Sequence, residues 1–256
     1  MDDLTLSVIV ATAVFLSGVI GLSLHRFLPE HHLSKETQDV IRLGTGMLSV
    51  LASLVLSLLI TTAKTTFDST DTAVREYSAD LIVMDETLRE YGEGALQARR
   101  FVREYTAKLI SDVWSDRYHH RFLVENRAGS EILDHLREAI RALAPSNHDQ
   151  QILAGEALQQ ATSLERERWL LIERAGATLS PIVIGIVVCW ICAIFVSFGM
   201  NAPLHATIYS VFLILALAIG SAMFLILEMD SPFEGIMRIS RQPVQTALHH
   251  MLPAGQ

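Results

Sequence analysis

Cys189-Trp190-Ile191-Cys192 has the C-x-x-C spacing of a redox dithiol or of half a zinc site. It lies inside an uninterrupted apolar run, where a thiol does not readily ionise. Two small hydrophobes one helical turn apart is the better reading. Three adjacent pairs, His31-His32, His119-His120 and His249-His250, supply a metal-ligating residue type. Helical neighbours point about 100° apart and cannot hold one ion from one face, so these read as surface histidines. There is no glycine loop to cradle a phosphate, no nucleophile elbow and no His-Glu-x-x-His pair. No catalytic residue, cofactor or metal ligand is expected, and the protein is not expected to be an enzyme.

Two other groupings are more informative. Ser49, Ser53, Ser57 and Thr61, with Thr65 beyond them, recur every four residues, with Gly44 and Gly46 at the entrance. Ser17, Gly18, Gly21 and Ser23 add small residues to the first apolar stretch. A ridge of this kind is either a seam that lets helices approach closely or the hydroxyl lining of a water-filled conduit. The second grouping is charged. Glu228, Asp230 and Glu234 follow the last apolar stretch, and Lys64 and Asp68 leave the second, so all five are expected at one membrane boundary. Capping and solvation account for these carboxylates, with a divalent cation site as the sharper alternative. Ser231-Pro232-Phe233-Glu234 has the form of a capping box opening a short helix. Phe233, Ile236, Met237 and Ile239 would be its apolar side, Arg238 and Arg241 its polar side, and its place the membrane interface.

The elements that must position these groups follow from composition. Half of the 256 residues are hydrophobic and only 19% are charged, with a mean hydropathy of +0.35. The apolar residues are concentrated in Leu4–Leu24, Leu43–Ala63, Leu179–Met200 and Leu204–Leu227, none of which contains Asp, Glu, Lys or Arg. Each is long enough to cross ~30 Å of hydrocarbon as a helix. The absence of ionisable residues inside them disfavours a proton-coupled pump. The net charge of −8 argues against a nucleic-acid partner. The chain is therefore expected to be all-α, an integral membrane protein of two transmembrane hairpins with a long helical extramembrane section between spans two and three. The expected domains are residues 1–66 (spans about 4–24 and 43–63), 67–178 (helical, extramembrane), 179–228 (spans about 179–200 and 204–227) and 229–256, a tail with short interfacial helices.

In the middle section Val74, Tyr77, Leu81, Met84, Leu88 and Tyr91 recur in steps of three and four, a heptad-like stripe on a helix that continues span two without a break. It could assemble a ring of subunits or pack inside one. Tyr91-Gly92-Glu93-Gly94 should end it. A second helix carries Val102, Tyr105, Leu109 and Val113, and a third Leu133, Leu136, Ile140 and Leu143 before Ala144-Pro145-Ser146-Asn147. The fourth, from about His148 through Leu164, should run directly into span three, with a kink at Pro181. Lys64, Arg75, Arg166, Arg168, Arg174, Arg238 and Arg241 on one side outnumber Arg26, Lys35 and Arg42 on the other. The middle region and both termini are thus expected in the cytoplasm of a cell whose membrane the chain crosses four times, a bacterial inner membrane.

Three stretches carry a resemblance. Met229-Asp230-Ser231-Pro232-Phe233-Glu234-Gly235, with Arg238-Ile239-Ser240 and Pro243, resembles the C-terminal signature of a bacterial bestrophin-like family of unknown function. Leu81-Ile82-Val83-Met84-Asp85-Glu86-Thr87-Leu88 with Tyr91-Gly92 resembles its central helix motif, and Ala63-Lys64 with Phe67-Asp68 the end of its second span. The resemblance implies the layout of bestrophins, pentameric anion channels with four spans per subunit and a helical cytosolic region between spans two and three. Span two has no run of bulky aromatics to serve as the bestrophin hydrophobic neck, and there is no dense acidic clasp, so anion selectivity and calcium gating are not carried over. The resulting expectation is a homo-oligomeric channel or pore in membrane lipid that passes inorganic ions passively, lined by Ser49, Ser53, Ser57 and Thr61. The alternative is a membrane-anchored interaction or stress-response module whose helical region binds a protein partner.

Overall fold

The structure, a computed structural model, describes residues 3–24, 35–114, 127–176, 179–203 and 205–252. His31-His32, His119-His120 and Arg26 lie outside the described residues. All regular structure in the described residues is helical: α1 (Asp3–Leu24), α2 (Lys35–Tyr91), a 3-10 turn (Glu93–Ala95), α3 (Leu96–Val113), α4 (Arg127–Arg141), α5 (His148–Gly176), α6 (Pro181–Asn201), α7 (Ala206–Asp230) and α8 (Gln242–Met251). Helices α1, α2, α6 and α7 contain the four apolar spans. The chain forms two compact units, Met1–Phe67 with Thr178–Met237, and Asp68–Ala177 with Arg238–Gln256.

Helix α2 runs unbroken for 57 residues, roughly 86 Å at ~1.5 Å per residue. It starts eight residues before the expected span and continues past it, as the stripe requires. It stops at Gly92, whose φ of +103° suits a residue without Cβ.

In the first unit α1 packs on α6 and α7, and glycine permits the approach. A Cβ on Gly21 would lie 2.2 Å from the Val196 carbonyl oxygen, and one on Gly199 would lie 2.3 Å from the Gly18 carbonyl oxygen. The close small-residue seam is therefore between spans one and three. Val10, Val14, Leu22, Val187, Ile191, Phe195, Phe212 and Met223 fill the core around it. From span two only Ala52, Leu59 and Ala63 join as fully buried residues, and the Thr45 and Ser197 hydroxyls meet at 2.6 Å.

Helix α5 does not run into span three. It ends at Gly176, and α6 begins afresh at Pro181, with Ser180 extended (φ −61°, ψ 120°) at its N-terminal boundary. Proline fits a first helical turn because it has no N–H to leave unsatisfied. The Leu179 N–H is taken up by the Asp230 carboxylate, at 2.9 and 3.1 Å from its two oxygens.

The second unit is a bundle built on the lower part of α2. Tyr77, Leu81, Met84, Leu88 and Tyr91 pack against Ala98, Val102 and Tyr105 of α3, Leu133, Leu136 and Ile140 of α4, Ala157, Ala161 and Leu164 of α5, and Ala247 and Met251 of α8. The heptad-like stripe is thus spent within one chain. Its polar groups are paired. Asp85, 2% exposed, receives both Arg99 Nε and Nη2 at 2.9 and 2.8 Å. The Tyr77 and Tyr105 hydroxyls meet at 2.5 Å. Burial lifts Tyr77 well above its ordinary value and pushes Tyr105 up to about 12, so both stay protonated. Arg168, counted above among the boundary cations, is buried and donates to Ser130 Oγ at 2.8 Å.

The tail differs from its expected form. Ser231 closes α7 instead of opening a helix, and residues 231–237 make turns. Ile239 is buried while Ile236 is 80% exposed, so the expected apolar face does not exist. The tail helix is α8, which has Pro243 in its first turn and buries Val244, Ala247 and Met251 in the protein. The expected capping box at Ser231-Pro232-Phe233-Glu234 does not open a helix.

Candidate functional site

Span two is the least covered of the four. In its apolar window 11% of residues are buried, against 33%, 28% and 33% in spans one, three and four. Its uncovered side bears Leu43, Met47, Val50, Leu54 and Leu58 in steps of three and four, with Leu43 and Met47 71% and 73% exposed. The hydroxyl ridge crosses this face obliquely, because each four-residue step turns about 40°. Ser49 is half-buried beside the packed side, while Ser53, Ser57 and Thr61 are exposed. The structure therefore brings the last three onto one uncovered face and leaves Ser49 at its edge. Ser49 Oγ donates to the Thr45 carbonyl, Ser53 Oγ to Ser49 and Thr61 Oγ1 to Ser57, at 2.8, 2.8 and 2.9 Å. These three hydroxyl protons are satisfied along the helix, and each oxygen keeps lone pairs for water. The face offers acceptors and bulk, without fixed charge.

Two members of the boundary group, Glu228 and Asp230, are taken up by backbone N–H groups. Glu228, 3% exposed, accepts the Ile236 and Met237 N–H groups at 2.8 and 2.9 Å. That turn needs Gly235 at φ +75°, where a Cβ would strike the Glu228 carboxylate at 2.4 Å. Asp230 is occupied by Leu179 N–H. Glu234 is half-buried, with its N–H on the Ser231 carbonyl at 3.1 Å. Lys64 is exposed on α2, and Asp68 belongs to the second unit. Among the described residues no group of His, Cys, Asp and Glu side chains is arranged to hold a metal ion. Two of the five residues thus accept backbone N–H groups, Glu228 from the turn that follows it and Asp230 from the start of span three. The missed signal was Gly235, whose positive φ allows the chain to fold back on Glu228.

Cys189 is exposed on α6 and Cys192 half-buried, and both are free thiols. His249 and His250 lie exposed in the last turn of α8. A further pair escaped notice: Asp80 on α2 and Glu167 on α5 line the same two cavities. Eleven residues of α2 separate Asp80 from the stop at Gly92, and nothing in local spacing links it to α5.

The Bestrophin-like domain matches residues 11–244 of the chain. Several solved structures have the same fold. One is a variant of a bacterial bestrophin homologue from Klebsiella pneumoniae, with TM-score 0.70 and 12% identity, covering 98% of this chain and 97% of that one. Another variant of that homologue gives 0.67 and 13%, covering 95% and 97%. A structure described as a membrane protein gives 0.66 and 14%, covering 96% and 97%. No curated protein matches the chain. At these identities the structural likeness speaks for the fold, which is the four-span, all-α layout read from the hydropathy. The domain match extends from span one into α8, and by it the chain belongs to the Bestrophin-like family.

Proposed function

We propose that the protein is a homo-oligomeric ion channel whose conduit is lined by the uncovered face of span two. The observation that carries this reading is the asymmetry of coverage: spans three and four pack on span one, and span two turns a mixed hydroxyl and aliphatic face outward. Four spans without internal charge do not enclose an aqueous path within one subunit, so the path requires symmetry-related copies. Ser53, Ser57 and Thr61 would supply oxygen acceptors, with Ser49 at the rim of the ridge. Leu43, Met47, Val50 and Leu54 would form an aliphatic stretch that can gate by dewetting. It takes the role for which the sequence offered no aromatic run. The likeness to structures of a bacterial bestrophin homologue supports the layout.

The remaining arrangement belongs to the same proposal. The middle region and both termini lie on the cytoplasmic side; residues 1–66 and 179–228 form the membrane domain, 67–178 the helical extramembrane region and 229–256 the tail. Lys64, Asp68, Glu228, Asp230 and Glu234 mark the cytoplasmic boundary. Membrane lipids and further copies of the chain are the partners, and inorganic ions the cargo.

In reconstituted bilayers the protein should show single-channel currents, and Ser57→Trp should cut their amplitude by at least about tenfold, because an indole fills a narrow conduit. A folded oligomer that stays electrically silent would contradict the proposal and favour a membrane-anchored interaction module.

A further inference from the structure

We propose that Asp80 and Glu167 hold α2 and α5 together through one shared proton, and that loss of this proton loosens the contact between the two helices. Two carboxyl groups attract only when one is protonated and donates to the other. When both are ionised they repel. The pair sits between two cavities of the second unit, of about 330 and 360 Å³, each lined by both residues. Water can therefore reach the pair and exchange the proton.

The surroundings favour keeping it. From α2, Glu76 faces the pair with a further negative charge. From α5, Glu156 lines the first cavity, Arg174 lines the second, and Arg166 opposes the carboxylates. The first cavity's wall adds an acceptor: Gln160 Oε1 is buried with no hydrogen-bond partner among the described residues. Burial of Glu167 raises its carboxyl first, followed by the hydrogen bond to Asp80 and the charges of Asp80 and Glu76. Together they bring it from an ordinary 4.5 to about 7. The sign follows from linkage. The folded value exceeds the unfolded one, so this group favours the packed state at low pH, and that contribution is withdrawn as the pH rises from about 4.5 through 7. The contact lies within the helical unit, and the inference holds whether or not span two conducts.

Hydrogen–deuterium exchange of the full-length protein in detergent tests this, with rates corrected for the intrinsic effect of pH. Between about pH 5.5 and 8.5, exchange in residues 72–84 and 160–172 should rise at least about tenfold, with a midpoint near 7. Glu167→Gln keeps a donor for Asp80 but cannot titrate, so its profile should be flat. Asp80→Asn removes the neighbouring charge, so the midpoint should move down toward the ordinary carboxylate range. A flat wild-type profile would overturn the proposal. So would an unchanged step in Glu167→Gln, or an unmoved midpoint in Asp80→Asn.

Discussion

Gly21→Leu is expected to separate spans one and three and to cost on the order of 3 kcal/mol or more. The side chain has nowhere to go. Its first carbon alone would lie 2.2 Å from the Val196 carbonyl oxygen and 3.0 Å from the Gly199 Cα, and these are backbone atoms that move only if the helices move. Gly199→Leu meets α1 in the same way, at 2.3 Å from the Gly18 carbonyl oxygen. Gly18 differs, because its neighbour is the Phe212 ring at 2.7 Å, which can rotate; Gly18→Ala should therefore cost less. Gly44 has nothing within 4 Å, so Gly44→Ala serves as the neutral control. Thermal midpoints of the detergent-solubilised protein, read by size-exclusion after heating, should fall in the order Gly21, Gly18, Gly44. Equal midpoints for Gly21→Leu and Gly44→Ala would refute the close seam.

Asp85→Ala is expected to destabilise the helical unit by about 3–5 kcal/mol, since it strands the Arg99 guanidinium in a largely covered position. The loss reflects the uncompensated charge more than the net worth of the pair. The double replacement Asp85→Leu with Arg99→Met should therefore recover most of it. Arg89 and Glu86 are the internal comparison. Both side chains of that pair are more than half exposed, and Glu86→Ala should change stability by less than about 1 kcal/mol. Denaturant unfolding followed by circular dichroism measures all three. A double variant as damaged as Asp85→Ala would show that the pair is required for more than charge balance.

The fold was legible because its main determinants are local. Uncharged runs of span length and the three-four rhythm from Tyr77 to Tyr91 each correspond to a helix or to its buried face. Three things were not legible, for one reason: they depend on contacts that helical spacing does not encode. The helix start expected at Pro232 fails because Glu228 reaches forward to the Ile236 and Met237 N–H groups and holds the chain in turns. Spacing could not foresee that the close seam uses Gly21 and Gly199, leaving the Ser57 ridge uncovered. Asp80 and Glu167 lie 87 residues apart on different helices, with no motif at either end.

Cysteine accessibility on span two tests the central claim most directly. In protein with Cys189 and Cys192 replaced by Ala, single cysteines at Ser53, Ser57 and Thr61 should react in bilayers with a charged, membrane-impermeant thiol reagent, and the current should change as they do. Ala52→Cys and Leu59→Cys, on the packed side of α2, should remain inert. A ridge that stays unreactive in a folded, conducting oligomer would place the ion path elsewhere and contradict the account.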